Sequence, residues 1–199
     1  PLPVLHHHTL KPLNTLTCYL NRHYVTSAMY ESVTEVSNEM NQFYPGTKVA
    51  YLDAGFPFFD GFPLLPHLSH DDGEKLDLAF FYKDAQTGNT VNGDAPSIIG
   101  YGVYEAPLRG EYDQPKSCEQ KGYWQYSFLS ALVPQWRKED YEFDPKRTKK
   151  IIELLAKQSS IQKIFIEPHL KLRMNLQHSK IRYHGCQAVR HDDHIHIQL

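Results

Sequence analysis

The chain ends on side chains that could hold a metal: His191-Asp192-Asp193-His194-Ile195-His196-Ile197-Gln198-Leu199. Its histidines fall at i, i+3 and i+5. From His194 to Ile197 polar and apolar residues alternate, the period of a β-strand, in which side chains two apart share a face. His194 and His196 therefore point one way, and Ile195 and Ile197 pack on the other. Two imidazoles on one face, with His191 just upstream, suit a metal, because neutral imidazole is the usual nitrogen ligand of zinc.

One strand cannot complete such a site. A second cluster, His67-Leu68-Ser69-His70-Asp71-Asp72-Gly73, precedes the apolar, strand-like run Lys75–Tyr82. Asp77 lies inside that run, where a carboxylate is costly unless it is paired or metal-bound. His70, Asp77 and His196 are the expected ligands of a zinc ion that keeps a water in its fourth position. Asp71 and Asp72 read as solvated turn residues, and Gly73 as a positive-φ turn. The competing reading is a structural histidine pair with a salt-bridged aspartate. Against it, 12 histidines are present and five of them fall in these two clusters, a concentration that a solvated surface does not produce.

The motifs and their order resemble the lysostaphin/D-Ala-D-Ala carboxypeptidase/hedgehog group of zinc proteins, and within it the penicillin-insensitive murein endopeptidases. The likeness is carried by His67-Leu68-Ser69-His70 before Asp77, by Ile164-Phe165-Ile166-Glu167-Pro168, and by the terminal His191-Asp192-Asp193-His194-Ile195-His196. What the resemblance implies is a zinc-dependent peptidase that hydrolyses an amide bond of cell-wall (peptidoglycan) peptides through a metal-bound water, working in the periplasm or outside the cell. It implies His194 and His191 as general base or oxyanion stabiliser, and His67 as an extra ligand or a second-site ligand. Asp193 is a further candidate base, because carboxypeptidase and dipeptidase relatives place a glutamate three residues before this ligand. Two alternatives stay open: a non-catalytic zinc-binding module of hedgehog type, and a D-Ala-D-Ala carboxypeptidase or dipeptidase. The chain is poorer in cysteine than the murein endopeptidases, and its Asp192-Asp193 pair is unlike them.

The elements that must position these residues follow from pattern. Thr26 or Ser27 caps a helix whose Met29, Val33, Val36, Met40 and Phe43 form one apolar stripe. Lys48–Asp53 reads as a buried strand. Ala54–Pro66 is a loop broken by glycine and proline that delivers His67 and His70. Residues 83–121 are rich in glycine and proline, with a short strand expected within Ser97–Tyr104; so long an irregular connection is often a binding loop. A helix is expected over Gly122–Val133, and another from the cap Asp144-Pro145 to about Lys157. Ile161–Ile166 is a strand, Glu167-Pro168 opens a short helix over Leu170–Leu176, and Cys18-Tyr19-Leu20 is a short strand.

The predicted fold is a single α+β domain over residues 1–199, with a central, mainly antiparallel sheet flanked by helices and the zinc site on the sheet. With 41% hydrophobic and 22% charged residues the composition is globular. A net charge of −2 argues against a nucleic-acid partner, and no run approaches the roughly 18 apolar residues of a membrane span. The opening Pro1–Leu5 is not a signal peptide; removal of one before this start is compatible with the missing methionine. Cys18, Cys118 and Cys186 fit either one disulfide with a free thiol or three thiols. Oligomeric state is not legible.

Overall fold

The computed structural model describes residues 1–5, 7–57, 70, 72–126 and 128–199. In chain order its elements are β1 (Leu10–Pro12), α1 (Leu16–Tyr19), α2 (Ser27–Phe43), β2 (Val49–Tyr51), β3 (Lys75–Ala79), β4 (Tyr82–Asp84), β5 (Thr90–Val91), α3 (Gln114–Gln120), α4 (Phe128–Leu132), β6 (Tyr141–Phe143), α5 (Pro145–Lys157), β7 (Lys163–Phe165), α6 (Pro168–Arg173), β8 (Ile181–Arg182) and β9 (His194–Gln198). Among the described residues they build a six-stranded sheet, β1-β2-β3-β9-β7-β8, and a three-stranded one, β5-β4-β6. The larger sheet is mixed but mainly antiparallel: only the outer pairs β1–β2 and β7–β8 are parallel.

The register of its two central strands organises the molecule. Asp77 lies directly opposite His196, Ala79 opposite His194, Leu78 opposite Ile195 and Leu76 opposite Ile197. Because the pleat alternates, the polar set takes one face and the apolar set the other. Slipping the pair by one residue would bury the histidines in the core and expose the isoleucines. Leu76, Leu78, Ile195 and Ile197 are fully buried in one cluster with Met29, Val33, Val36 and Met40 of α2 and Ile151, Ile152, Leu154 and Leu155 of α5. Each such side chain contributes about 1.5–3 kcal/mol by leaving water. The two helices therefore close one face, and the functional groups stand on the other.

Both helices start where the sequence places them. The Thr26 side chain accepts from Met29 N, and Asp144 accepts from Lys146 N and Arg147 N. Phe43 departs from its stripe: it is exposed, with Lys150 Nζ 4.1 Å above its ring. Arg147 is buried, donating to Asp144 Oδ2 at 2.8 Å, to Asn92 Oδ1 at 2.9 Å and to the carbonyls of Tyr82 and Val91. That network satisfies the charge and joins α5 to the small sheet.

Four expectations are corrected. Lys75–Tyr82 is two strands in different sheets, separated at Phe80-Phe81. Residues 18–20 belong to the end of α1 rather than to a strand. Ser97–Tyr104 forms no strand; it is held by side chains instead. The helix expected over 122–133 is a 3-10 turn at Trp124–Tyr126 followed by the short α4, and Trp124, Phe128 and Leu132 are exposed. Of the Ala54–Pro66 loop, residues 58–66 lie outside the described residues, as do His67 and Asp71. No helix is long and apolar enough to cross a membrane among the described residues.

Cys118 and Cys186 form a disulfide, and Cys18 is free. The bond fastens the 183–189 loop, which follows β8, to α3. It closes a loop with a sequence separation of 68. Loop-closure entropy then gives about 4 kcal/mol of stability. Cys118→Ser with Cys186→Ser is expected to lower the unfolding free energy by that order, read as a shift of the urea midpoint to lower concentration. An unchanged midpoint would show that the loop holds itself.

Candidate metal centre

On the polar face of β3 and β9, three donor atoms converge. His196 Nδ1 lies 2.8 Å from Asp77 Oδ1, His70 Nε2 lies 3.3 Å from His196 Nδ1, and His70 Nε2 lies 3.4 Å from Asp77 Oδ1. All three residues are buried. A tetrahedral ion with bonds of about 2.0–2.1 Å sets its donors about 3.3–3.4 Å apart. Two edges of the triangle have that length, and the third is the length of a hydrogen bond between the same atoms. His70, Asp77 and His196 thus form a group that could hold a metal ion. A second such group, His191, His194 and His196, shares His196 with the first.

The turn that brings His70 to β3 uses Gly73 at φ +71°, where a side chain would be strained. Its carbonyl accepts from Thr26 N at 2.9 Å, tying the turn to the start of α2. Asp72 is exposed and accepts from Glu74 N and Lys75 Nζ. On the far edge of the His196 ring, the Gln198 amide reaches Nε2 at 3.1 Å, so Nδ1 is the atom turned to Asp77. Burial is the main influence on His196 and holds its pKa down to about 4, with Asp77 opposing. The ring is therefore neutral at pH 7, the form that binds metals.

His194 stands beside the triangle. Its Nε2 lies 3.7 Å from Asp77 Oδ1, and on the opposite edge Nδ1 meets Asp193 Oδ1. Burial favours the neutral ring, but the carboxylates of Asp77 and Asp193 outweigh it and raise the pKa. Asp193 Oδ2 accepts from Gly102 N at 2.6 Å. Both oxygens of Asp193 are thus engaged behind His194, a geometry that orients the imidazole. The His191 ring lies 5.0 Å from that of His194 and 5.5 Å from that of His196. Burial, then the neighbouring His194 and His196, push the His191 pKa well down.

The loop before β9 is fixed residue by residue. Arg190 donates to both oxygens of Asp192, at 2.9 and 2.5 Å, and its guanidinium lies 3.7 Å from the centre of the Tyr104 ring. Asp192 O accepts from Glu105 N at 2.6 Å, and Glu167 N donates to His191 O at 3.1 Å. Arg190 is therefore committed to the scaffold. Tyr183 packs its hydroxyl against Cys118 Sγ at 3.1 Å and Tyr126 at 3.4 Å, while Arg182 and Trp124 are exposed.

Glu167 is buried at the start of α6; its Oε1 accepts from Tyr126 Oη and from His191 N. Burial, reinforced by Asp192, raises its pKa to about 7 from the usual 4.5. Between those values the folded state keeps a proton that the unfolded chain releases, so stability falls as pH rises through that window. Glu167→Gln keeps an acceptor without the charge. It is expected to stabilise the protein at pH 8 by up to about 3 kcal/mol and to be near neutral at pH 4.5. Urea unfolding at the two pH values checks this; an equal effect at both would refute it.

Two residues at the site escaped the sequence reading. Tyr101 donates its hydroxyl to Asp77 Oδ2 at 2.7 Å, and its ring sits edge-on to His194 with centroids 5.0 Å apart. The one signal was its flanking by Gly100 and Gly102. His184 is exposed, its ring 4.2 Å from that of Phe165 and 5.6 Å from that of His191. It comes from the loop held by the disulfide, which no spacing rule connects to the site. No protein-family model matches this chain, and no curated protein matches it.

Proposed function

We propose that this chain is a zinc-dependent peptidase that hydrolyses an amide bond in peptidoglycan peptides. The observation that carries the reading is the buried triangle of His70, Asp77 and His196 with the His194 imidazole beside it. The donor set of two imidazoles and one carboxylate fits a catalytic zinc. When bound, zinc supplies Lewis acidity, lowering the pKa of a water and polarising a carbonyl. His194 moves the proton at Nε2, taking it from the attacking water and returning it to the departing amine. Asp193 holds Nδ1 so that Nε2 faces the reacting centre. His191, kept neutral by burial, donates to the developing oxyanion.

The choice of peptidoglycan comes from the motif resemblance, in which His67 is an extra or second-site ligand. The Cys118–Cys186 pairing supports a periplasmic or extracellular location, since disulfides persist in oxidising compartments. The two engaged oxygens of Asp193 favour the endopeptidase arrangement over the carboxypeptidase one, in which that position is the free base.

The test is elemental analysis of the purified protein joined to digestion of purified peptidoglycan. About one zinc per chain with released peptide fragments is expected. Zinc without cleavage of wall or stem peptides would leave a binding module, and iron in its place would overturn the hydrolase reading.

A further inference from the structure

The segment Gly100-Tyr101-Gly102 crosses the polar face of the sheet and touches both halves of the site. We propose that Tyr101 is the positioning residue of the centre: its hydroxyl locks Asp77 to one metal-facing oxygen while its ring fixes His194. The proposal rests on the metal-centre reading above and assigns a role within it.

Asp53 N donates to the Tyr101 hydroxyl oxygen at 3.2 Å, and the hydroxyl donates to Asp77 Oδ2 at 2.7 Å. The backbone N–H takes up the oxygen's acceptor side, so the phenol proton is directed at the carboxylate. Asp77 is thereby divided. Oδ2 is bound to Tyr101, and Oδ1 is the atom that meets His70, His196 and His194. A carboxylate held in this way binds through one oxygen and cannot swing to chelate through both. The same ring meets that of His194 nearly at right angles, 83° between planes, with centroids 5.0 Å apart. The next residue completes the strap, since Gly102 N donates to Asp193 Oδ2.

The flanking glycines show that the segment is built for this approach. Gly100 has φ +89°, and a Cβ there would lie 2.3 Å from Leu52 Cδ2. Gly102 has φ +81°, and a Cβ would lie 2.8 Å from Val133 Cγ2 and 3.0 Å from Leu129 O. A side chain at either position would be strained at that φ and would force Leu52 or the Leu129–Val133 turn to shift. Tyr101 is also buried with Ala50, Leu52 and Ala79 in a small cluster on this face, so packing holds the ring where the bond needs it.

The test is zinc affinity, measured by competition with a chromophoric chelator, for the wild type and Tyr101→Phe. Outer hydrogen-bond partners of ligands are worth roughly 10–100-fold in affinity, and a loss in that range is expected. Cobalt(II) in place of zinc supplies a second readout. Release of Asp77 to bind through both oxygens raises the coordination number and weakens the visible absorption of the variant. Wild-type affinity and an unchanged cobalt spectrum in Tyr101→Phe would overturn the proposal while leaving the metal centre standing. Absence of metal binding by the wild type would instead overturn the centre itself. Should Tyr101→Phe fail to fold, a ring-fluorinated tyrosine at position 101 keeps the shape and changes only the acidity of the hydroxyl. A shifted zinc affinity then supports the bond, and an unshifted one refutes it.

Discussion

His196→Ala is expected to abolish stoichiometric metal binding and to cut amide hydrolysis by at least about 10³-fold. The size follows from the several kcal/mol that Lewis-acid stabilisation supplies, at 1.36 kcal/mol per tenfold. His196 is the decisive position because, among the described residues, it belongs to both groups that could hold an ion. Among the described residues its loss leaves either His70 with Asp77, or His191 with His194, and two donors do not make a structural or catalytic zinc site. The fold should survive. His196 projects from the polar face, whereas Ile195 and Ile197 of the same strand carry the core contacts. A ligand that binds only the folded state stabilises by about 2.7 kcal/mol at 100 times its Kd. Added zinc should therefore raise the melting temperature of the wild type and leave that of the variant unchanged. A variant that keeps one metal per chain would remove the central claim. His70→Ala and His191→Ala divide the two groups: loss of zinc in the first and its retention in the second assigns the ion to the triangle with Asp77.

How much of this was readable depended on whether a residue's role follows from local periodicity. The β9 strand was legible because alternation of period two separates His194 and His196 from Ile195 and Ile197 without knowledge of any partner. Asp77 was legible for a different reason: a carboxylate inside an apolar run has to be paired with something. The helices α2 and α5 were legible from Thr26 and Asp144, whose side chains cap their first turns, and from stripes that fit one buried face. The split of Lys75–Tyr82 was not. Phe80 and Phe81 are both buried, so the run carries no internal mark where the chain leaves one sheet for the other. The connection from 83 to 143 was opaque because long-range bonds hold it. Lys138 reaches the carbonyl of Tyr104, Gln135 that of Gly102, and Arg137 the carboxylate of Asp94. Such contacts leave no periodic trace, which is why Tyr101 was missed although it touches the candidate ligand Asp77. The cysteine pairing was equally hidden, since three cysteines permit several pairings and only the packing of α3 against the 183–189 loop selects one.

His194→Ala should behave differently from loss of a ligand. Zinc content is expected to stay near one per chain, because His194 lies outside the His70–Asp77–His196 triangle, while kcat falls by about 10²–10⁴, the usual worth of a positioned acid–base group. Asp193→Asn is expected to cost less, roughly 10–100-fold, the range found for outer hydrogen-bond partners at metal sites. The physical reason lies in the two bonds it makes. His194 Nδ1 and Gly102 N both donate to Asp193 when Nε2 is the free base, and one carboxylate accepts both. Asparagine offers a single oxygen and so satisfies only one of them. Either the imidazole turns its other tautomer to the site, or the Gly102 amide is left unpaired in a buried place, at about 1–3 kcal/mol. The two variants together identify the base. If Asp193 itself accepted the proton, Asp193→Asn would be the more damaging change and His194→Ala the milder. A larger kcat loss in His194→Ala, with zinc retained in both proteins, assigns the proton transfer to His194 Nε2 and leaves Asp193 as the group that aims it.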